Sequence, residues 1–436
     1  FTPLFVSSDE KFDDASVAQS LCGIALVRCC PYQKGVVFMQ KTRKIFSRLT
    51  AAVLAGAMLV SGGAVSMTVS AASAKPVLDT DVTVPSAGNV LIGMEGTYAN
   101  DIQAALKLVN QYRWEACSNG YPNPVNGKKL TKNDYVPMEW SAGLEYLARI
   151  RAAESSQTIA HERTNGSNCF QIQTPGGYSS GGECLAWWSW DLDMTTGVEL
   201  WYSEKDAYLN KTGGVTGHYT SMISPNNRYV GMGAFGTSTA QYYSTSCAEF
   251  SGTNNSETFQ FTYGDCVQTL EVPASAVTIS SNQSKYLYYG DRKTLQLTAS
   301  YNGYSGFPVE YAKWSSSAPS VVSIEGNNTA VVKDYGKATL TADLGGKTYT
   351  LNVEVKDIVK GDVECDGTID SSDVFSTLLH VASVGAGVGG TLTDGQLTAA
   401  DIDGNGTVDS TDVYYLMYYV ALNGAGIHSS WDDVLR

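Results

Sequence analysis

The sequence predicts a multidomain chain, with a mixed helical block over about 100–250, an all-β sandwich over 272–356 and a small all-α module over 360–424. Three observations carry this prediction. Two segments near the start of the first block place apolar residues at helical spacing. The middle stretch alternates apolar and polar residues between glycine turns. Near the end, a twelve-residue acidic pattern occurs twice. A chain of 436 residues has room for two to four domains, each able to bury a core. The formal charge of -14 is uneven, because no Lys or Arg occurs from Gly361 to Asp412. That distribution argues against a nucleic-acid partner and for bound cations.

Taken in order, residues 39–74 have the three parts of a secretory signal peptide. Lys41, Arg43, Lys44 and Arg48 precede an apolar run, and small residues follow through Ala72-Ser73-Ala74. Ser61, Gly62 and Gly63 interrupt the run, so cleavage near Ala74 is favoured over a membrane anchor and no span is expected in the mature protein. Phe1–Phe38 lie upstream of this signal without an initiating Met and read as translated upstream sequence with no assigned fold. Residues 75–99 read as a linker. Cys22, Cys29 and Cys30 precede the signal, leaving Cys117, Cys169, Cys184, Cys247, Cys266 and Cys365. If a bridge forms, Cys169 with Cys184 is the expected pair.

The block over 100–250 opens with "DIQAALKLVNQYR", where Ile102, Ala105, Leu106 and Val109 share a helix face, and continues with a second helix in "WSAGLEYLARIRAAE". Four motifs follow in order: "HERTNGSNCF"; "GGECLAWW"; Trp201, Glu204 and Tyr208 at W-x-x-E-x-x-x-Y spacing; and "GHYT" ahead of a Val-Gly-x-Gly strand. This order resembles the CAP superfamily, which includes cysteine-rich secretory proteins, insect venom antigens, pathogenesis-related proteins and bacterial SCP-like extracellular members. The resemblance implies an α-β-α sandwich with two His and two Glu lining one open cleft. The matching positions are His161, Glu183, Glu204 and His218.

Two imidazoles and two carboxylates can hold zinc, with His161 and His218 as ligands and a position left open for water. They can also act as general acid and base without metal, or tie helices to a sheet through buried hydrogen bonds. The residues leave these uses open. Two positions depart from the family pattern: Cys184 stands where Asn usually follows the Glu, and Ser221 replaces the usual Gln after "GHYT". Trp187, Trp188 and Trp190, with Tyr178 and Trp201 nearby in sequence, offer either core packing or a rim for stacking sugar or lipid. Residues 251–271, beginning in an asparagine-rich stretch, read as a linker.

Over 272–356, "TLQLTAS", "KWSSSAPSVVSI", "YGKATLTADLGG" and "YTLNVEV" give several short strands separated by turns, as in a small sandwich. Trp314-Ser315-Ser316, Val322-Ser323-Ile324 and the run Gly336 to Leu340 resemble bacterial Ig-like domains of group 2. That resemblance implies a spacer or adhesion module in which Trp314 is a core residue.

The two acidic loops are "DVECDGTIDSSD" and "DIDGNGTVDSTD". In the first, Asp362, Glu364, Asp366, Thr368, Asp370 and Asp373 fall at positions 1, 3, 5, 7, 9 and 12; in the second, Asp401, Asp403, Asn405, Thr407, Asp409 and Asp412 do. Gly367 and Gly406 occupy position 6, where a sharp turn gathers oxygens around a hard cation. Each loop precedes one helix-like segment, with Val374, Leu378 and Val381, then Val413, Leu416 and Val420, as the expected core. These duplicated EF-hand-like half-hands resemble a type I dockerin, which attaches secreted proteins to cohesin modules of a scaffoldin in cellulosomes. The resemblance implies two calcium ions. It also makes Ser371, Ser372, Ser410 and Thr411 the residues that choose the cohesin. Residues 425–436 read as a tail.

Three function classes follow from these resemblances. The first is a cellulosome accessory protein whose CAP domain binds a ligand, with plant cell-wall polysaccharide, lipid and cell-surface groups as candidates. The second is a hydrolase in polysaccharide catabolism, with Glu183 and Glu204 as a carboxylate pair, or a metal-assisted peptidase. The third is a cell-surface adhesin.

Overall fold

The computed structural model describes residues 4–7 as backbone, together with 75–78, 80–281 and 283–436. The signal segment 39–74 and Cys22, Cys29 and Cys30 lie outside the described residues. The first block runs β1 Leu4–Ser7, β2 Val77–Leu78, β3 Asn89–Tyr98, α1 Ile102–Asn119, β4 Glu139–Trp140, α2 Ala142–Gln157, β5 Gly182–Trp188, α3 Met194–Tyr202, α4 Lys205–Asn210, α5 Gly217–Ile223, β6 Tyr229–Gly236, β7 Ser244–Ser251 and β8 Gly264–Pro273.

These strands form one sheet in the order β1-β5-β7-β6-β3-β8-β2, with β4 parallel to β6. Helix α2 covers one face. The other face packs against α1, α3 and α5 around Trp188, Trp201, Tyr219 and Phe250. The α2 face is sealed by an unusually close approach: a Cβ at Gly231 of β6 would collide with the α2 backbone at Leu144 and Glu145. The Val-Gly-x-Gly strand is therefore what lets α2 lie directly on the sheet, and any side chain at Gly231 would push it away.

The sheet extends beyond the expected block. Residues 75–99 and 251–271 are not linkers throughout, because β3 and β8 pair antiparallel over ten residues, from Asn89 with Pro273 to Tyr98 with Gly264. Their apolar side chains Val90, Ile92, Met94, Leu270 and Val272 are buried, which explains why these runs are strand and not solvated connection. Phe1–Phe38 had no assigned fold, yet Leu4–Ser7 adds antiparallel to β5, whose outer edge otherwise leaves a row of backbone groups unpaired.

The all-β region contains β9 Thr278–Ser280, β10 Tyr286–Tyr288, β11 Arg292–Thr294, β12 Thr298–Tyr301, β13 Tyr304–Pro308, β14 Lys313–Ser316, β15 Val322–Glu325, β16 Thr329–Val332, β17 Gly336–Asp343 and β18 Thr348–Lys356. They pair as β10-β18-β17-β14, β11-β16-β15 and β13-β12-β9. Val322, Leu340 and Val353 form its core, and Trp314 packs half-buried against this cluster and against the cluster shared with the first block.

The C-terminal helices are α6 Ser371–Gly385, α7 Asp394–Ala400, α8 Ser410–Gly424 and α9 Trp431–Val434. Leu416 is fully buried, and Val374 and Val420 pack against the same small core. Leu378, expected inside, is 48 % exposed. Thr377 takes the inward position instead, its hydroxyl donating to the Asp373 carbonyl at 2.8 Å. The expected tail is partly ordered: Trp431 of α9 stacks on Tyr419 at 4.1 Å. Among the described residues no helix is long and apolar enough to cross a membrane.

Candidate functional site

Glu183 stands near the start of β5 and is fully buried facing α2. Arg151 of α2, also fully buried, donates to both of its oxygens, Nε to Oε2 at 2.7 Å and Nη2 to Oε1 at 3.3 Å. His161, in the loop after α2, places Nδ1 at 2.7 Å from Glu183 Oε1. Burial alone would raise the Glu183 pKa, but the Arg151 guanidinium and His161 overcome it and hold the carboxyl at about 2. Glu183 is thus an acceptor, so the His161 proton resides on Nδ1. The opposite atom, Nε2, is buried with no hydrogen-bond partner.

The support behind Glu183 is a chain of charges. Arg151 Nη1 donates to Glu154 at 2.8 Å, Arg163 donates to Glu154 at 2.7 Å, and Arg163 forks onto Asp81 at 2.7 and 2.9 Å. The side chains of Arg151 and Glu154 are at most 1 % exposed, so each charge has to be paired where it sits.

Glu204 lies between α3 and α4 and accepts three bonds from α5: the His218 amide at 3.0 Å, the Tyr219 amide at 3.1 Å and His218 Nδ1 at 2.5 Å. The His218 ring is fully buried and lies nearly parallel to Trp201, with centroids 6.4 Å apart. The four predicted residues therefore form two Glu-His pairs. In each, the carboxylate fixes Nδ1. Such a carboxylate behind an imidazole orients the far nitrogen toward a metal or ligand, and the unpartnered Nε2 of His161 fits that use.

Sequence reasoning missed several groups here. Cys169, His161 and Glu183 bring ligand atoms within 4.8 Å of one another, as do Glu183, Cys247 and Glu249. Among the described residues, no group of three or more such atoms contains both imidazoles. Glu249 pairs across the sheet from Glu183, and burial and the Glu183 charge push its carboxyl well above the ordinary range. The expected Cys169–Cys184 bridge does not form, since both are free buried thiols. Cys184 packs on the opposite face of the sheet with Trp188 and Trp201. There its thiol meets Ser221, so the two departures from the family pattern touch each other. Trp187 and Trp188 are core residues, while Trp190 is 47 % exposed.

The acidic loops are built alike. Asp362 accepts from the Asp366 and Gly367 amides at 3.0 Å each, and Asp401 accepts from Asn405 and Gly406 at 3.0 and 2.9 Å. Asp366 and Asn405 accept from the amides and hydroxyls of Thr368 and Thr407. Asp370 and Asp409 cap α6 and α8, and Asp373 and Asp412 fold back onto the amides of Asp370 and Asp409 at 2.8 and 2.9 Å. Burial raises the Asp373 carboxyl to about 6. In the second loop, Asp401, Asp403 and Asp412 converge within 4.8 Å. Ser371, Ser372, Ser410 and Thr411 are exposed. Beside them Phe375, Tyr414 and Tyr418 are exposed, while Tyr415 packs against the C-terminal core and Tyr419 stacks on Trp431.

Comparison with known proteins agrees with both readings. The profile of the cysteine-rich secretory protein family, CAP, matches residues 106–249, and that of the dockerin type I domain matches residues 360–421. Pathogenesis-related protein 1 of Arabidopsis thaliana is 38% identical over 90 residues, which is 20% of this chain and 48% of that protein. The chain thus spans about half the length of this curated relative. Residues 106–249 are a CAP-family domain and residues 360–421 are a type I dockerin domain.

Proposed function

We propose that this is a secreted accessory protein of a cellulosome-like assembly, attached to a scaffoldin cohesin through a calcium-shaped dockerin, whose CAP domain binds a ligand or partner at its His/Glu cleft. The observation that carries the attachment is the convergence of Asp401, Asp403 and Asp412 at the foot of a helix that exposes Ser410, Thr411, Tyr414 and Tyr418. Hard oxygen donors at this spacing suit calcium, and a fixed loop sets the angle of the helix that follows. Export is assigned to the segment 39–74.

In the CAP domain a zinc ion would sit at His161, whose buried Nε2 is unpartnered and whose ring lies with Cys169 and Glu183, while His218 joins no such group among the described residues. A bound zinc supplies a Lewis-acidic anchor for an anionic or carbonyl group of the ligand. Glu183 and Glu204 serve as positioning residues. Glu183 is occupied by Arg151 and His161, and Glu204 by His218 and two amides. With its carboxyl held low by Arg151, Glu183 is not the raised-pKa acid that glycoside cleavage requires, which weighs against the polysaccharide hydrolase reading.

Calorimetric titration of the purified chain with a type I cohesin tests the attachment. Binding in calcium, lost in chelator and in an Asp362→Ala, Asp401→Ala double variant, is the expected result. Binding that is indifferent to both would refute the calcium-shaped surface.

A further inference from the structure

The backbone of the two acidic loops is held by matching hydrogen bonds, yet their surroundings differ in two ways. The first difference is at position 3. Asp403 of the second loop joins the convergent carboxylates, whereas Glu364 of the first loop is turned away, its Oε1 accepting from Ser376 Oγ at 2.7 Å on α6. The first loop has no group equivalent to Asp401, Asp403 and Asp412 among the described residues. Lys293 of β11 adds a resident positive charge beside Glu364.

The second difference is a protein partner. Tyr288, at the end of β10, is fully buried among Val363, Cys365, Ala399 and Leu416 of the C-terminal core. Its hydroxyl donates to the Asp362 carbonyl in the first loop. Three residues on, Asp291 is 2 % exposed and accepts from Thr393 Oγ at 2.6 Å and the Gly395 amide at 2.9 Å, at the start of α7. Gly395 has no room for a Cβ against Tyr288 and Asp291, so the two modules meet at backbone distance. Within the C-terminal module, Gln396 of α7 donates to the Val363 carbonyl of the first loop at 2.9 Å. The first loop is therefore held directly by Tyr288 and, through α7 and Gln396, by Asp291, in the place where a half-hand of this spacing would be ordered by its ion.

We propose that the first acidic loop is the docking element for the β-sandwich and that the second loop alone is the tight calcium site. This rests on the calcium reading of the loops. A carboxylate drawn onto Ser376 deprives the first loop of one hard oxygen, and each charged ligand lost weakens a calcium loop steeply. The contacts of Tyr288 and Asp291 supply order without the ion. The sandwich and the dockerin domain then behave as one rigid arm, and calcium reshapes only the α8 side of the docking surface.

The test is calcium titration of the whole chain by calorimetry, paired with amide hydrogen exchange in chelator. One tight equivalent is expected, abolished by Asp401→Ala and unaffected by Asp362→Ala. Glu364→Asp is expected to recruit a second equivalent. In chelator, the amides of Asp366 and Gly367 should exchange at least roughly ten-fold more slowly than those of Asn405 and Gly406. Tyr288→Phe, which keeps the ring, should shrink that ratio. Two equivalents of matched affinity, or equal exchange in the two loops, would overturn the proposal while leaving the calcium reading intact. No calcium uptake at all would remove that reading, and this proposal with it.

Discussion

The CAP domain and the dockerin domain both arrange carboxylates around a functional centre, but they treat the oxygens in opposite ways. Glu183 and Glu204 are buried and fully used, by a bidentate arginine and an imidazole in one case and by two amides and an imidazole in the other. Asp403, Asn405 and Asp409 are exposed, and their hydrogen bonds stay within their own loop. A saturated carboxylate positions its neighbour; an unsaturated one retains lone pairs for a cation. The contrast separates the two roles proposed for acidic residues in one chain, orientation of imidazoles in the CAP domain and ion binding in the loops.

That contrast can be broken by removing one carboxylate at a time. The largest effect is expected from Glu183→Ala, which strands Arg151 as a fully buried, half-paired charge and should cost about 3–5 kcal/mol in chemical denaturation. The same group predicts an acid limit. Its folded pKa of about 2 lies below the ordinary 4.5, so its stabilisation is present above pH 4.5 and is lost as pH falls toward 2. Glu183→Ala should flatten that part of the stability profile.

Glu204→Ala removes the acceptor for two α5 amides and for His218 and should cost about 1–3 kcal/mol, with the His218 ring signal broadened or shifted. The smallest loss is expected at Glu249. Its raised pKa means that the neutral form is the native one, so its stabilisation is complete below pH 4.5 and declines as pH rises toward the folded value. Glu249→Gln copies the neutral form without titrating, so it should match wild type to within about 1 kcal/mol below pH 4.5 and be the more stable of the two at pH 7. A loss comparable to that of Glu183→Ala would mean that Glu249 is charged and paired, contrary to this account.

Much of this arrangement is readable in the residues, and the rest fails for identifiable reasons. The glycines of the Val-Gly-x-Gly strand mark where α2 approaches the sheet, and motif order alone locates His161, Glu183, Glu204 and His218. The Arg151–Glu183 pair escapes because helical spacing sets Arg151 on the face of Leu144, Leu147 and Ala148 without naming what it meets there. The burial of Arg151 depends on Glu183 arriving from β5, thirty-two residues away. Strand β3 reads as linker because its partner β8 lies beyond the whole intervening block, so no local hairpin announces the pair. Leu378 reads as core from periodicity, but its helix packs on one side only and leaves a broad apolar face outside, with Phe375 and Leu379. Tyr288 was invisible as a dockerin contact because nothing in a strand sequence names a neighbour seventy-four residues on.

The claim that the CAP carboxylates orient imidazoles is tested most directly by nitrogen NMR of the four histidine rings, with His161→Ala and His218→Ala used for assignment. Both His161 and His218 are predicted to carry a proton on Nδ1 in metal-free protein. A His161 ring protonated on Nε2 alone would require Glu183 to be the donor in that pair, and would contradict the account.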